Sequence, residues 1–331
     1  MALLLGRSEV DRLFDGTHVR IDECIDAVEA AFAEHGRGAV GVLARQILTS
    51  DGRPAEPRSR ALKLSASYMR DSGVMGASLY TTHFRPGDVD MWLAIFSGTT
   101  GELQGMLHGK SLSLWKTGAT AAVAARHLAR KNARRVAIVG TGYYARAQLQ
   151  CLASVRELEE VRCFSRDRDR LQRFVAWAGA TLSGASVRAA SSARHAVDEA
   201  DIVVTITTSP HPVVHGAWLA PGSHCNAMGQ HAPTARELDS EAVAGARVIV
   251  DAREQAMNEK GEILVPLHAG EIAVDHVAGE LGEVVAGRIA GRTRDDERTL
   301  FCSGGTALEY MGLCRLLIER ARAAGLGHEI D

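Results

Sequence analysis

Apolar positions fall into separate blocks with different periods. In IDECIDAVEAAFAEHGRG, Ile21, Ile25, Val28 and Phe32 share one helical face, and Gly36 and Gly38 close the segment. This spacing predicts an amphipathic helix. From about Leu43 to Leu107 the period shortens, and ALKLSASY, GASLYTTH and MWLAIFSG read as strands broken by Gly, Pro and Asp. SLSLWKTGATAAVAARHLAR then reads as a helix whose alanines suit close packing. VAIV (136–139), VRCF (161–164), SVRAA (186–190), DIVVTIT (201–207), a mixed SHCNAMG and RVIVD (247–251) follow, several of them separated by helical patterns. That alternation predicts a parallel sheet with helices on both faces. The tail, TALEYMGLCRLLIERARAAGLG, is one more amphipathic helix. The expected fold class is α/β: a Rossmann-type doubly wound sheet over 113–302, plus a discontinuous α+β domain from 1–112 and 303–331.

In VAIVGTGYYARAQL a hydrophobic strand meets GTGYYA and then a helical pattern. Gly140 permits the tight turn, Gly142 the approach of a pyrophosphate to the backbone, and Ala145 the packing of helix on strand. The helix start would turn its free N–H groups and positive dipole end toward the phosphates. GxGxxA alone also fits a purely structural turn. The strand before it, the helix after it and a βαβ unit of about thirty residues favour a dinucleotide. Tyr143 and Tyr144 fall where the phosphates pass. At the end of the second strand CFSRDRDR carries Ser165 where NAD-selective sites place an acid, and Arg166 follows. That favours the 2′-phosphate of NADP(H) and leaves NAD(H) possible; Asp167 stands late for the ribose, and Arg166 is otherwise a solvated surface charge.

Composition narrows the partners. The chain has 331 residues, is 24% charged and carries a formal net charge of -2. It shows no basic field for nucleic acid and no span for a membrane; the run in MALLLGRSEV is too short for a signal peptide. Six dispersed cysteines without a CxxC pair read as buried hydrophobes in a reducing cytoplasm. No histidine pair, His211 and His215 included, has metal-ligand spacing with carboxylates, so no metal is expected. Of 38 basic residues only five are lysines, namely Lys63, Lys110, Lys116, Lys131 and Lys260. In a chain that otherwise uses arginine, a lysine stands out.

SGTTGELQGMLHG, LSLWKTGATAAVAARHLAR, GTGYYARAQL and GSHCNAMGQHAPTARELD occur in that order, followed by GEILVPLHAGEI, ELGEVVAGRIAGR and FCSGGTALE. Over nearly its whole length the chain thereby resembles the ornithine cyclodeaminase/μ-crystallin family. The resemblance implies a homodimer formed through the non-Rossmann domain, and hydride exchange at the α-carbon of amino acids or their imines. Members include NAD-dependent cyclodeaminases, NAD(P)H-dependent ketimine reductases and alanine or opine-type dehydrogenases; some serve as lens or ligand-binding proteins. By the same resemblance Thr117, Thr205, Thr207, Met228 and Gly229 join the cofactor-binding set.

Hydride addition to a C=N bond beside a carboxylate needs cations on the carboxylate, a proton for the nitrogen and a nicotinamide against the carbon. The family's carboxylate clamp maps onto Arg45, Lys63 and Lys116. Lys116 stands where the family has arginine; it implies a retuned pocket or a proton-exchanging group, unless it merely faces solvent at a helix start. Lys63 has the same surface alternative. His231 occupies the place of the cyclodeaminase aspartate. A histidine can protonate an imine nitrogen near neutral pH but cannot neutralise a substrate ammonium, so cyclodeamination loses support; a structural or solvent-facing His231 is the alternative. Ser303 and Gly304 are expected to border the nicotinamide and bind substrate. Tyr310 replaces an acid and either closes the substrate site or packs. The expected function is NAD(P)H-dependent reduction of a small α-imino acid, or reversible amino-acid dehydrogenation. The alternatives are a redox-neutral cyclodeaminase and a non-catalytic NADPH- or ligand-binding protein.

Overall fold

The computed structural model describes residues 1–50, 60–82 and 89–331. His83 of the GASLYTTH run lies outside the described residues. In chain order the first elements are β1 (Ala2–Leu5), α1 (Arg7–Leu13), α2 (Ile21–Gly36), β2 (Val40–Thr49), β3 (Ala61–Met69), β4 (Val74–Thr82), β5 (Met91–Ser97), β6 (Leu103–His108) and α3 (Gly109–Leu128). Then come β7 (Arg135–Val139), α4 (Ala145–Val155), β8 (Glu160–Phe164), α5 (Arg168–Thr181), β9 (Ser186–Ala189), α6 (Ala193–Val197), β10 (Ile202–Thr205) and β11 (His224–Ala227). The rest is α7 (Ser240–Ala244), β12 (Arg247–Val250), α8 (Arg253–Glu259), α9 (Gly261–His268), β13 (Val277–Glu280), α10 (Leu281–Val285), β14 (Thr299–Cys302), α11 (Ala307–Ala324) and β15 (His328–Ile330).

The chain forms two compact units, Met1–Lys116 with Gly305–Asp331, and Thr117–Gly304. These divisions fall four and two residues later than the expected 112/113 and 302/303. One lies inside α3, which no turn residue interrupts at 112.

The first unit holds a seven-stranded sheet in the order β15-β1-β6-β5-β4-β3-β2. β2 to β6 form an antiparallel meander, β1 pairs with β6 in parallel, and β15 closes that edge antiparallel. The short apolar run at Ala2–Leu5 is thus a strand. Strand alternation puts Ala61, Ser65, Ser67 and Met69 on the face covered by α11, against which α2 packs. Cys24, Ile25, Val28, Ala31 and Phe32 of α2 are buried, whereas Ile21 is half-buried at the helix start. The opposite sheet face carries Leu43, Leu48, Leu62, Tyr68 and Leu79, each at least 39% exposed.

The second unit is an eight-stranded sheet, all parallel, in the order β13-β12-β14-β11-β10-β7-β8-β9. From β7 the chain winds outward through β8 and β9, then returns to β10 on the other side of β7, so the strand order reverses between β7 and β10. In doubly wound sheets ligands bind outside the carboxyl ends of the strands at such a reversal. Its central strands, β12, β14, β11, β10 and β7, are short and buried on both faces, with one core on each side of the sheet.

Candidate active site

The turn after β7 sits at that reversal. Gly140 has φ +105°, and a Cβ there would lie 2.6 Å from the Ile206 carbonyl oxygen and 2.8 Å from the Thr207 methyl. Both its backbone angle and its crowding against the end of β10 demand glycine. A Cβ on Gly142 would instead meet nothing within 4 Å, so this glycine leaves open space above the start of α4. Ala145 is fully buried where α4 packs on the sheet. Tyr143 is 49% exposed, and its ring meets that of Tyr144 edge to face at 5.3 Å. After β8, Ser165 is half-buried and Arg166 exposed. Asp167 is committed to the N-cap of α5, accepting from the Arg170 amide at 2.9 Å.

The loops after β10 and β11 are tied together by a residue that the sequence reading did not single out. Glu237, fully buried, accepts from the Thr207 amide at 2.6 Å, the Gly229 amide at 2.7 Å and the Thr205 hydroxyl at 3.1 Å. Gly229 must be glycine, since a Cβ would lie 2.3 Å from the Thr207 carbonyl oxygen. Met228 is buried, and its amide donates to the Thr205 carbonyl at 3.0 Å. Burial, followed by the charge of Glu262, pushes the Glu237 carboxyl up to about 7. His231 is exposed. The Ser303 hydroxyl donates to the buried carboxylate of Asp251 at 2.9 Å, and a Cβ on Gly304 would meet Glu259 and Gln255 side-chain atoms at 2.6 and 2.8 Å. Ser303 and Gly304 both belong to the Thr117–Gly304 unit. The Thr117 carbonyl, on α3, accepts from Gln148 at 3.2 Å.

In the other unit, Arg45 and Lys116 meet at Gly305. The register of β2 on β3 shifts between Leu43 and Gln46, so Ala44 and Arg45 together oppose Ser65. Such a bulge re-aims a side chain, and the Arg45 guanidinium donates to the Gly305 carbonyl at 2.8 Å. A Cβ on Gly305, where φ is +73°, would lie 2.8 Å from Lys116 Nζ and 3.9 Å from Arg45 Nη2. Lys116 is 4% exposed, which excludes the solvent-facing reading. It pairs with Glu309 at 3.6 Å and lies 4.7 Å above the Tyr310 ring, whose hydroxyl donates to Ser113 at 3.0 Å. The other oxygen of Glu309 closes a capping box with Thr306 at the start of α11. Lys63 is half-buried on β3, on the same face as Ser65. Two cations are therefore gathered at one backbone turn. Among the described residues, no group of three His, Cys, Asp or Glu side chains is set to hold a metal ion.

A doubly wound sheet with GxGxxA at its reversal, in a chain whose other unit gathers Arg45 and a buried Lys116 at one turn, defines an oxidoreductase-type two-domain protein. The chain belongs to the ornithine cyclodeaminase/mu-crystallin family, which matches residues 11–325. It is 35% identical over 233 residues to the Delta(1)-pyrroline-2-carboxylate reductase of Bacillus thuringiensis subsp. konkukian, covering 70% of this chain and 71% of that one. The Thermococcus litoralis Delta(1)-pyrroline-2-carboxylate reductase, solved with NADH and L-proline, superimposes with a TM-score of 0.90 at 32% identity, over 99% of this chain and 100% of that one. An archaeal alanine dehydrogenase dimer with bound NAD gives 0.90 at 30% identity, over 100% and 99%.

Proposed function

We propose that the protein is an NAD(P)H-dependent oxidoreductase that reduces the C=N bond of a small α-imino acid, or runs the same exchange from the amino acid. The observation that carries this reading is the pairing of cations at Gly305, where Arg45 and a buried Lys116 present positive charge at one turn. A carboxylate is the complement of such a pair. The open space over Gly142 and the Thr207 and Gly229 loops fit a dinucleotide, which when bound supplies or accepts the hydride at the substrate α-carbon. Arg45, Lys63 and Lys116 hold the substrate carboxylate. His231 gives the proton that the imine nitrogen needs; a carboxylate at this place would serve deamination better. Ser303 and Gly304 border the reacting groups.

Ser165 at the tip of β8, with Arg166 beside it and Asp167 spent on its cap, supports NADPH over NADH. The two solved structures named above hold NADH and NAD, so the reading of NADPH rests on this chain's own residues. The apolar outer face of β2–β4 supports a homodimer.

The test is oxidation of NADPH and NADH against pyrroline-2-carboxylate, piperideine-2-carboxylate, and pyruvate with amines, alongside thermal shifts with each cofactor. Turnover with an imine is expected, with the larger shift for NADPH. Ammonia release from ornithine without net cofactor consumption would establish a cyclodeaminase instead. Binding of cofactor without oxidation by any imine would leave a ligand-binding protein. An equal or larger shift with NADH would defeat the Ser165 and Arg166 argument.

A further inference from the structure

A buried charged cluster lies beneath the loops that follow β10 and β11. Lys260, fully buried between α8 and α9, donates to the Gln230 carbonyl at 2.5 Å and pairs with Glu262 at 3.3 Å. Glu262 in turn accepts from the Glu237 amide at 3.0 Å. Glu237 holds the Thr207 and Gly229 amides, and the Gln230 side chain donates to the Ser209 carbonyl at 2.7 Å. The backbone from Gly229 to Gln230 is therefore held at its two ends by ionisable side chains, Glu237 on the Gly229 amide and Lys260 on the Gln230 carbonyl. His231 is the next residue. Gly261 closes the underside, since a Cβ there would lie 2.2 Å from the Ala235 carbonyl oxygen.

Stability does not account for this arrangement. Burying an ammonium and carboxylates costs several kcal/mol per ion before pairing, roughly, and apolar residues of similar volume commonly do as well or better. Burial works against the charged form of Lys260, but the paired carboxylate of Glu262, with Glu237 and Asp251 further off, more than offsets it and holds the amine cationic. A charged donor on a backbone carbonyl makes a short, directional bond. Charge spent on one peptide group fixes that group's place.

We propose that Lys260 is a positioning residue for the imine-reducing step: by holding the Gln230 carbonyl, it sets the Gly229–His231 backbone so that the His231 side chain is presented for proton delivery. Glu237 anchors the start of the same loop to Thr207, and Glu262 couples the two. This rests on the reductase reading and on His231 as its proton donor.

A double-mutant cycle on the full chain tests it, using Lys260→Met, His231→Ala and their combination with pyrroline-2-carboxylate as substrate. Lys260→Met is expected to lower kcat by about 10²-fold, the cost of a small misplacement at a reacting group, while the cofactor Kd holds. In the His231→Ala background the same change is expected to cost no further kcat, because it acts through that side chain. Lys260→Gln, which keeps a donor without the charge, is expected to recover part of the loss; it replaces Lys260→Met in the cycle if the latter does not fold. Additive losses, or a cofactor Kd that weakens in step with kcat, would overturn the proposal. Amide hydrogen exchange over residues 229–232 provides a readout without turnover. Lys260→Gln is expected to speed it in the protein without substrate, and unchanged exchange overturns the positioning role. A wild type that reduces no imine defeats the reductase reading, whatever the exchange shows.

Discussion

Lys116 Nζ stands 3.6 Å from Glu309 Oε1 and 4.7 Å over the ring of Tyr310, at 4% exposure. The carboxylate and the ring face hold the ammonium in one place, and Gly305 leaves it room that any Cβ would fill. A guanidinium is larger and planar, so Lys116→Arg must displace the Gly305 turn that Arg45 also contacts. We expect Lys116→Arg to shift substrate preference across an imine panel while the cofactor Kd is retained. Lys116→Met should lower kcat/KM by about 10- to 100-fold, the worth of roughly one charged hydrogen bond to the substrate. Unchanged kinetics across the panel would refute a substrate role for this lysine.

The two glycines of GTG predict different failures. Gly140→Ala forces φ +105° on an alanine and drives its methyl into the Ile206 carbonyl, so both folding and cofactor binding should suffer. Gly142→Ala adds a methyl to empty space, so the cofactor-free thermal midpoint should stay where it is while affinity for NADPH falls about tenfold or more. Titration of the two variants, with thermal melts beside it, separates these outcomes. A Gly142→Ala protein that binds cofactor like the wild type would reduce the turn to a structural feature.

Much of the fold is legible because hydrophobic period and turn residues carry it. β7, β8 and β10 emerge from VAIV, VRCF and DIVV, and α11 from its apolar stripe ended by Gly325 in the left-handed region. β13 and β14 escape the same reading. VAGE and TLFC are four residues long; TLFC, buried along its whole length, has no alternation to display, and VAGE is an edge strand with a glycine and a glutamate in it. β1 escapes because its four residues pair only with distant partners, β6 and β15. The lysines at 63 and 116 stand out by residue type, whereas Arg45 is reached only through the family resemblance. That Arg45 and Lys116 meet at Gly305 depends on a bulge in β2, and register is not written in composition. Glu237 passes unnoticed in TARELD because a lone acid there reads as surface. Lys260 offered a better signal, as one of five lysines in an arginine-rich chain, next to GEILVP.

Two buried groups give stability opposing dependences on pH. His224 is fully buried between Thr299 and Asn226, and burial, then Arg292, push its imidazole down to about 3. The unfolded chain takes up this proton below its ordinary value of 6.5 and the folded chain does not, so stability present above 6.5 is lost as pH falls toward 3. The limiting cost is about 5 kcal/mol. Glu237 runs the other way. With its carboxyl raised from 4.5 to about 7, its contribution is complete below 4.5 and is lost as pH rises through 7. Thermal midpoints across the acid-to-neutral range should show a shallower acid limb in His224→Gln and a shallower neutral limb in Glu237→Gln. An acid limb unaltered by His224→Gln would show that other groups set it.

The outer face of the antiparallel β2–β4 meander is apolar where such a face, when solvated, is ordinarily polar. On β3 the residues alternating with buried Ala61, Ser65 and Met69 are Leu62, Leu64, Ala66 and Tyr68; Leu48 opposes Leu62, and Leu79 opposes Leu64. Leu48 is 66% exposed and Leu79 45%. A second copy of the same face would cover this patch about a twofold axis, the commonest closed arrangement of identical chains. Light scattering should then give twice 35.4 kDa for the wild type. Leu79→Arg, or Leu62→Glu, should return the mass to that of one chain, since an unpaired charge in the buried centre of an interface is costly. Their side chains face away from the α11 side of the sheet, so near-wild-type secondary structure and cofactor affinity are expected to survive. A wild type that stays monomeric at micromolar concentration, or variants that remain paired, would move the interface elsewhere or remove it.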